Sequence, residues 1–154
     1  MPSISNDHDL RGLLDGLPAE QQRVVGARFV QSVLHLSRDE RVHRAIDTAL
    51  RPDASPDELE DAYHAAKAHA IKTYTDCGKD TDWLAQADHF VAAAAAAVLT
   101  PDNRLVGKAN RAWRAAMQAR MAINCEMVES DAGTLADQVQ RQYAVAEEAL
   151  AAAG

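Results

Sequence analysis

The run Phe90-Val-Ala-Ala-Ala-Ala-Ala-Ala-Val-Leu99 contains no polar side chain, and it decides the fold class of this chain. Alanine is the best helix former, so the run predicts a helix. A helix without a polar face must be surrounded by protein, and this run is shorter than the roughly 20 apolar residues that cross a bilayer. The run therefore predicts the central helix of an all-α bundle, and we expect residues 90–99 to be the least exposed segment.

Helix-start and helix-end residues divide the chain into five to seven helices, which we expect to form a single domain over residues 1–154. The predicted helices cover 7–15, 18–36, 38–50, 56–77, 82–99, 101–129 and a last helix from 135. The predicted capping residues are Ser37, Ser55, Thr81 and Thr134, and Pro18 and Pro101 are expected in first turns. No segment alternates between apolar and polar residues with period two, so no sheet is predicted.

The composition narrows the function classes. The net charge of -7 over 154 residues argues against non-specific binding of nucleic acid, which needs a surplus of Lys and Arg. The first residues lack a basic region followed by an apolar stretch, so we expect no signal peptide, no membrane span and a cytoplasmic location. Cys77 and Cys125 are isolated, which favours reduced thiols acting as small apolar fillers rather than nucleophiles.

Charge is unevenly distributed along the chain. Residues 102–124 carry a net charge of +4 and residues 125–154 carry -5, so the two segments are predicted either to be antiparallel neighbours or to present independent solvated faces. Four cations at spacings of 4, 3 and 3 share one face of the predicted sixth helix: Arg104, Lys108, Arg111 and Arg114. This basic stripe suits an acidic partner or a phosphate, or is only the solvated side of the helix. Arg120 points elsewhere and is expected to need an internal carboxylate or carbonyl.

Histidines and carboxylates at helical spacing are the candidates for a metal site. Asp61 and His64 are three residues apart, and His69 follows on the same helix, but His64 falls opposite the apolar stripe. We therefore interpret Asp61 and His64 as solvated, and we predict no metal and no cofactor. Asp88 and His89 are adjacent and point about 100° apart, so they are not expected to serve one site directly.

A cavity beside the alanine helix is a second possibility, because short side chains leave space between helices. Five side chains are candidates for its lining: Tyr63, His69, Tyr74, His89 and Trp113. No nucleophile lies at a recognisable spacing from a base, and no glycine-rich phosphate loop is present.

Two stretches carry a resemblance to a known family: Arg28-Phe-Val-Gln-Ser-Val-Leu-His-Leu36 and Asp39-Glu-Arg-Val-His-Arg-Ala-Ile46. Followed by dense alanine, they resemble the opening of the alanine-rich helical immunity proteins of bacterial toxin systems. Ser32 and Val42 stand where that pattern has Cys and Pro. The resemblance implies a non-enzymatic inhibitor that binds a cognate toxin, and it transfers no site residue.

Three hypotheses therefore compete at this point. The first is a non-catalytic protein that binds a protein partner, in its sharpest form a toxin-neutralising immunity factor, since net acidity suits a basic partner. The second is a helical enzyme or small-molecule-binding protein with a cavity beside the alanine helix. The third is a helical homodimer with a scaffolding role.

Overall fold

A computed structural model describes residues 3–74, 82–105, 107, 109–130 and 134–153, and within these residues it contains seven helices and no strand. The all-α prediction is confirmed. The helices are α1 (Asp7–Asp15), α2 (Ala19–Gln31), α3 (Glu40–Leu50), α4 (Pro56–Thr73), α5 (Trp83–Leu99), α6 (Arg111–Ser130) and α7 (Leu135–Ala153). No helix in these ranges is long and apolar enough to cross a membrane.

The alanine helix α5 is the centre of the bundle. It contacts α2, α3, α4 and α6, and eight of the ten residues of 90–99 are buried, the exceptions being the half-buried Phe90 and Ala93. Small residues let the helices come close: a Cβ added to Gly26 of α2 would lie 3.0 Å from Val98 Cγ2 and 3.2 Å from the Cα of Ala112. The burial predicted for this run is confirmed.

Several predicted helix starts are confirmed where the capping partners are close in sequence. α1 has the predicted bounds, and the Ser55 hydroxyl and the Glu58 carboxylate each accept the other residue's backbone N–H at 3.1 Å, forming the predicted capping box. Thr134 Oγ1 accepts the N–H of Asp137 at 3.0 Å at the start of α7. The partners in these contacts are three residues apart, so they can be predicted from the sequence without knowledge of the helix packing.

Other predicted boundaries were wrong. α2 ends at Gln31, where the Ser32 hydroxyl donates to the carbonyl of Phe29, and a short 3-10 turn covers 34–36. Asp39 rather than Ser37 caps α3, and α5 begins at a cap on Asp82. The predicted cap Thr81 and the predicted end of α4 near Cys77 lie outside the described residues.

The sixth helix starts ten residues later than predicted. Residues 102–104 form a 3-10 turn, Gly107 has a left-handed φ of 61°, and Asn110 Oδ1 accepts the N–H of Trp113 at 3.0 Å. The buried Arg111 donates from Nε to the carbonyl of Thr100 at 2.8 Å and pairs with Asp102. This contact holds the start of α6 against the end of α5. Pro101 therefore precedes a 3-10 turn and not a helix.

Arg120 has the internal partner that the sequence predicted. Its guanidinium donates to both carboxylate oxygens of Asp7, at 2.8 and 2.9 Å, and to Oε1 of Gln142 at 2.9 Å. The Tyr143 hydroxyl donates to the same carboxylate at 2.9 Å. This cluster attaches α1 to α6 and α7. α6 and α7 are in contact, and the ion pairs given above for the basic segment 102–124 join Arg111 to Asp102 and Arg120 to Asp7, neither of which lies in the acidic segment 125–154.

Acid should weaken the attachment of α1. The hydrogen bond from Arg120 is the main cause that lowers the pKa of Asp7 below its ordinary value. A carboxyl whose pKa is lower in the folded state stabilises the fold above its unfolded pKa of about 3.9, and this contribution is lost as the pH falls through the folded value. Asp7→Asn should therefore lower the free energy of unfolding by about 1 kcal/mol at neutral pH, a small value because the carboxylate is half exposed.

That difference from the wild type should shrink as the pH falls below about 4, as followed by urea denaturation at several pH values. Asp47→Asn, an exposed carboxylate of α3 without an ion pair in the described part of the chain, controls for the loss of one charge. A difference for Asp7→Asn that stays constant down to acid pH would contradict this assignment.

Candidate functional site

A groove of about 690 Å³ runs along α5 between α4 and α6. Its floor consists of small residues of α5, and its two walls carry longer side chains. The described lining residues are Tyr63, Lys67, Ala70, Ile71 and Tyr74 of α4, His89, Ala93, Ala96, Ala97 and Thr100 of or next to α5, Arg104 of the following turn, and Arg114 and Gln118 of α6. No carboxylate is among them.

The two ends of the groove differ in chemistry. α4 and α5 run in opposite directions, so the start of α5 lies beside the end of α4. His89, near the start of α5, donates from Nδ1 to the carbonyl of Ala70, near the end of α4, at 2.8 Å. At the other end, Arg104 lies 5.8 Å from the ring centroid of Tyr63, a cation–π distance. One end is therefore cationic and the other is apolar and aromatic.

The cations of the groove have no carboxylate partner among the described residues. Within the described residues, neither Lys67 nor Arg104 nor Arg114 has an ion pair, and Arg104 and Arg114 are exposed. Arg111, by contrast, is 8% exposed and is held by Thr100 and Asp102. Positive charge without a carboxylate partner in the described residues, in a chain of net charge -7, is available to an external anion.

The opposite end of the groove exposes large apolar side chains. Ile71 is 67% exposed and Tyr74 is 66% exposed. The Tyr74 ring meets the His89 imidazole edge to face, with 5.7 Å between centroids. Two large apolar side chains that are exposed together at one end of a groove favour contact with an apolar group of a ligand.

Three of the five side chains predicted to line the cavity lie in the groove, and two lie elsewhere. Tyr63, Tyr74 and His89 line the groove, as the cavity hypothesis required. Trp113 does not line it: it packs against a separate group of core residues that includes Leu10 and Phe29, and Arg11 lies 5.1 Å from its ring centroid. His69 does not line the groove either. It is adjacent to the lining residue Ala70, and neighbouring residues on a helix point about 100° apart, so His69 faces Asp39 at the start of α3.

His69 is a buried structural contact between three elements. Its Nε2 lies 3.0 and 3.1 Å from the carboxylate oxygens of Asp88 on α5, and its Nδ1 lies 3.1 Å from Asp39 Oδ2 at the start of α3, without hydrogen-bond geometry. Hydrogen bonds from Arg41 are the main cause that lowers the pKa of Asp39 far below its ordinary range, and the charge of His69 adds to this. Asp88 and His89 thus serve different neighbours, as predicted.

The predicted basic stripe is not one helix face. Arg104 lies in the 3-10 turn before α6, Arg111 is buried against Thr100, and Arg114 lies in the first turn of α6. Lys108 lies outside the described residues. Arg104 and Arg114 nevertheless both line the groove near Thr100, because the turn carries Arg104 there and Arg111, three residues before Arg114, donates to the Thr100 carbonyl.

The remaining candidates are on the surface or in the core. Asp61 and His64 are exposed, and His64 is 3.6 Å from Glu60. Cys125 is buried on α6, and Cys77 lies outside the described residues. No group of His, Cys, Asp and Glu side chains in the described ranges has the arrangement of a metal site.

A second hollow of about 560 Å³ lies near the C-terminal end of α5, and its charges are largely occupied. Arg23 donates to the carbonyls of Ala49 and Arg51, each at 3.0 Å, and Arg111 is bound as described above. Glu20, Glu60 and Asp102 also line it, so it presents both signs of charge. The groove between α4 and α6 is therefore the better candidate site.

Sequence reasoning missed Lys67, Ile71 and Gln118 as lining residues. Lys67, Ile71 and Tyr74 continue the helical spacing of Tyr63 at intervals of three and four, which is the signal that could have found the α4 wall. Comparison of the chain with protein-family models, with curated proteins and with solved structures gave no match.

Proposed function

We propose that this protein is a binding protein that holds a small anionic ligand in the groove between α4 and α6. The observation that carries the proposal is the set of three groove cations, Lys67, Arg104 and Arg114, which have no carboxylate partner in the described residues. The groove volume of about 690 Å³ falls within the range of roughly 300–1,000 Å³ that is usual for small-molecule sites.

The polar groups of the groove support binding rather than catalysis. The Thr100 hydroxyl donates to the carbonyl of Ala96 at 2.7 Å, and His89 Nδ1 donates to the carbonyl of Ala70. The Thr73 hydroxyl, which lies 3.3 Å from His89 Nδ1, donates to the carbonyl of His69 at 2.7 Å, so it too is bonded to the backbone. Their hydrogen bonds instead fix the walls in position.

Reversing two groove charges should weaken the binding of anions. With a panel of aliphatic and aromatic carboxylates, each paired with its neutral amide, Arg104→Glu with Arg114→Glu should weaken carboxylate binding at least tenfold, since each charged hydrogen bond is worth about 1.5–3 kcal/mol. Binding is measured by calorimetry or by titration in two-dimensional NMR spectra.

The matched control is Arg44→Glu with Arg141→Glu, which makes the same charge change at exposed arginines outside the groove. It should leave carboxylate affinity within about twofold, because charges beyond a Debye length of about 8 Å are screened. Equal losses in both double variants, or equal binding of acids and amides by the wild type, would overturn the groove as an anion site.

Toxin neutralisation is a second candidate function, and the observation that favours it is the charge of -5 over residues 125–154, which suits a basic partner. The resemblance of 28–36 and 39–46 to immunity proteins adds to it. Co-expression with each neighbouring gene product, scored by rescue from toxicity and by pull-down of the co-expressed partner, tests this function. Rescue by the groove double variant would separate it from ligand binding.

A further inference from the structure

We infer that the ligand of the groove is an elongated amphiphile, with a carboxylate or phosphate head beside Arg104 and Arg114 and an apolar body that runs along α5 toward Ile71 and Tyr74. The inference rests on the proposed function and adds the ligand's shape and orientation.

The first step is the polarity of the groove. Its two guanidinium groups, which have no ion pair in the described residues, lie toward the Tyr63 end, and its exposed apolar side chains lie at the Tyr74 end. Tyr74 directly follows the last residue of α4 and is eleven residues from Tyr63, which corresponds to about 16 Å at 1.5 Å per residue. A compact anion would fill only the first part of this length, and the apolar part would stay in contact with water.

The second step is the floor. Ala93, Ala96 and Ala97 present methyl groups, and the Thr100 hydroxyl at the cationic end is already bonded to the Ala96 carbonyl. A floor without available hydrogen-bonding groups gives a polar ligand body nothing to bind. An apolar body loses water on contact with these methyl groups and gains free energy in proportion to its buried area.

The third step is the width. Ala96 and Ala97 line the groove but are only 6% and 7% exposed, so little of the floor is open between the two walls. A helix is about 10 Å or more across with its side chains, so a docked peptide helix could not reach this floor without moving the walls. A single alkyl chain is slender enough to lie between them, which favours a small amphiphile over a protein segment.

The fourth step is the pair of long side chains that stand midway along the two walls. Lys67 lies one turn from Tyr63 on α4, and Gln118 lies one turn from Arg114 on α6, so both stand between the two ends. Long side chains of this kind can cover apolar surface with their stems while their polar ends stay in water. They can therefore cover an alkyl chain without leaving a polar group buried.

The test is a chain-length series of linear acids: butanoate, octanoate, decanoate and dodecanoate, each below its critical micelle concentration, measured by calorimetry with the whole chain. We expect the affinity to rise about twofold for each methylene, somewhat less than the roughly fourfold of full burial, because the groove is open on one side. Dodecylamine, with the same chain and the opposite charge, should bind at least tenfold more weakly than dodecanoate.

Two variants separate the head from the chain. Arg104→Gln with Arg114→Gln should weaken every acid of the series by the same factor, since it changes only the head contact. Ala93→Leu fills the floor with a larger side chain, and it should weaken dodecanoate at least tenfold while leaving butanoate unchanged. The matched control is Ala68→Leu, an exposed alanine of α4 that does not line the groove.

The outcomes distinguish the inference from the function on which it rests. Acids that bind with an affinity independent of chain length would keep the anion site and overturn the elongated ligand. Equal affinity for dodecanoate and dodecylamine would overturn the orientation with the head at the arginines. No binding of any acid would overturn the proposed function itself.

Discussion

Replacing Ala94 by leucine should lower the free energy of unfolding by about 1–3 kcal/mol. Ala94 is fully buried in the hydrophobic core that residues of α2, α3, α4, α5 and α6 form together, and four other helices contact its helix. The three added carbon atoms have no space there, so side chains must leave their preferred rotamers or helices must move apart. Urea denaturation followed by circular dichroism gives the change directly, as a lower midpoint at an unchanged slope.

The preceding residue offers a matched control for Ala94→Leu. Ala93 is half-buried at the floor of the groove, where an added side chain can point into open space. Ala93→Leu should therefore change the stability by less than about 0.5 kcal/mol. A wild-type midpoint for Ala94→Leu would mean that α5 does not pack as tightly as the structure describes.

Replacing His69 by alanine should cost about 2–3 kcal/mol. The imidazole is 6% exposed, and it binds the carboxylate of Asp88 and lies against that of Asp39. A hydrogen bond to a charged group contributes about 1.5–3 kcal/mol, and its removal leaves two half-buried carboxylates facing an empty space. Thermal and urea denaturation at pH 7 measure the loss.

His64→Ala, an exposed histidine on the same helix, should change the stability by less than about 0.5 kcal/mol. Adding Asp88→Asn to His69→Ala removes one of the facing carboxylates, so the double variant should regain part of the lost stability. Additive losses from the two substitutions would show that the histidine acts by filling space and not by binding the carboxylates.

Local signals in the sequence predicted the fold class and several helix ends. The apolar run 90–99 required a buried central helix, and the caps at Ser55 and Thr134 needed only partners three residues away. Arg120 was recognised as a residue that needs an internal partner, but the sequence could not name Asp7, which lies 113 residues away. Contacts of that separation depend on the packing of helices.

The start of α6 shows how a distant contact overrides a local signal. Pro101 is compatible with the first turn of a helix, and also with a 3-10 turn that ends near Leu105. The hydrogen bonds of Arg111 with Thr100 and Asp102 favour the second arrangement, and they cross the connection rather than follow a helix. The predicted basic stripe was wrong as a helix face for the same reason.

The groove was predicted in part because helical spacing gives the face of a residue but not its neighbours. Tyr63 and Tyr74 were correctly assigned to the lining of the cavity, and His89 lies across from them because α4 and α5 are antiparallel. His69 was assigned to the same cavity, yet its ring faces Asp39 on α3. Only the positions of α3 and α6 relative to α4 and α5 decide these assignments.

The alanine helix also affects how stability depends on temperature. The heat-capacity change of unfolding grows with the apolar area that becomes exposed, and a core filled with methyl groups exposes less of it per residue than one filled with leucine. The curvature of the free energy of unfolding against temperature is set by that heat capacity. This bundle should therefore lose stability more gradually on both sides of its optimum, and cold denaturation should lie further below it, than in a leucine-packed bundle of equal length.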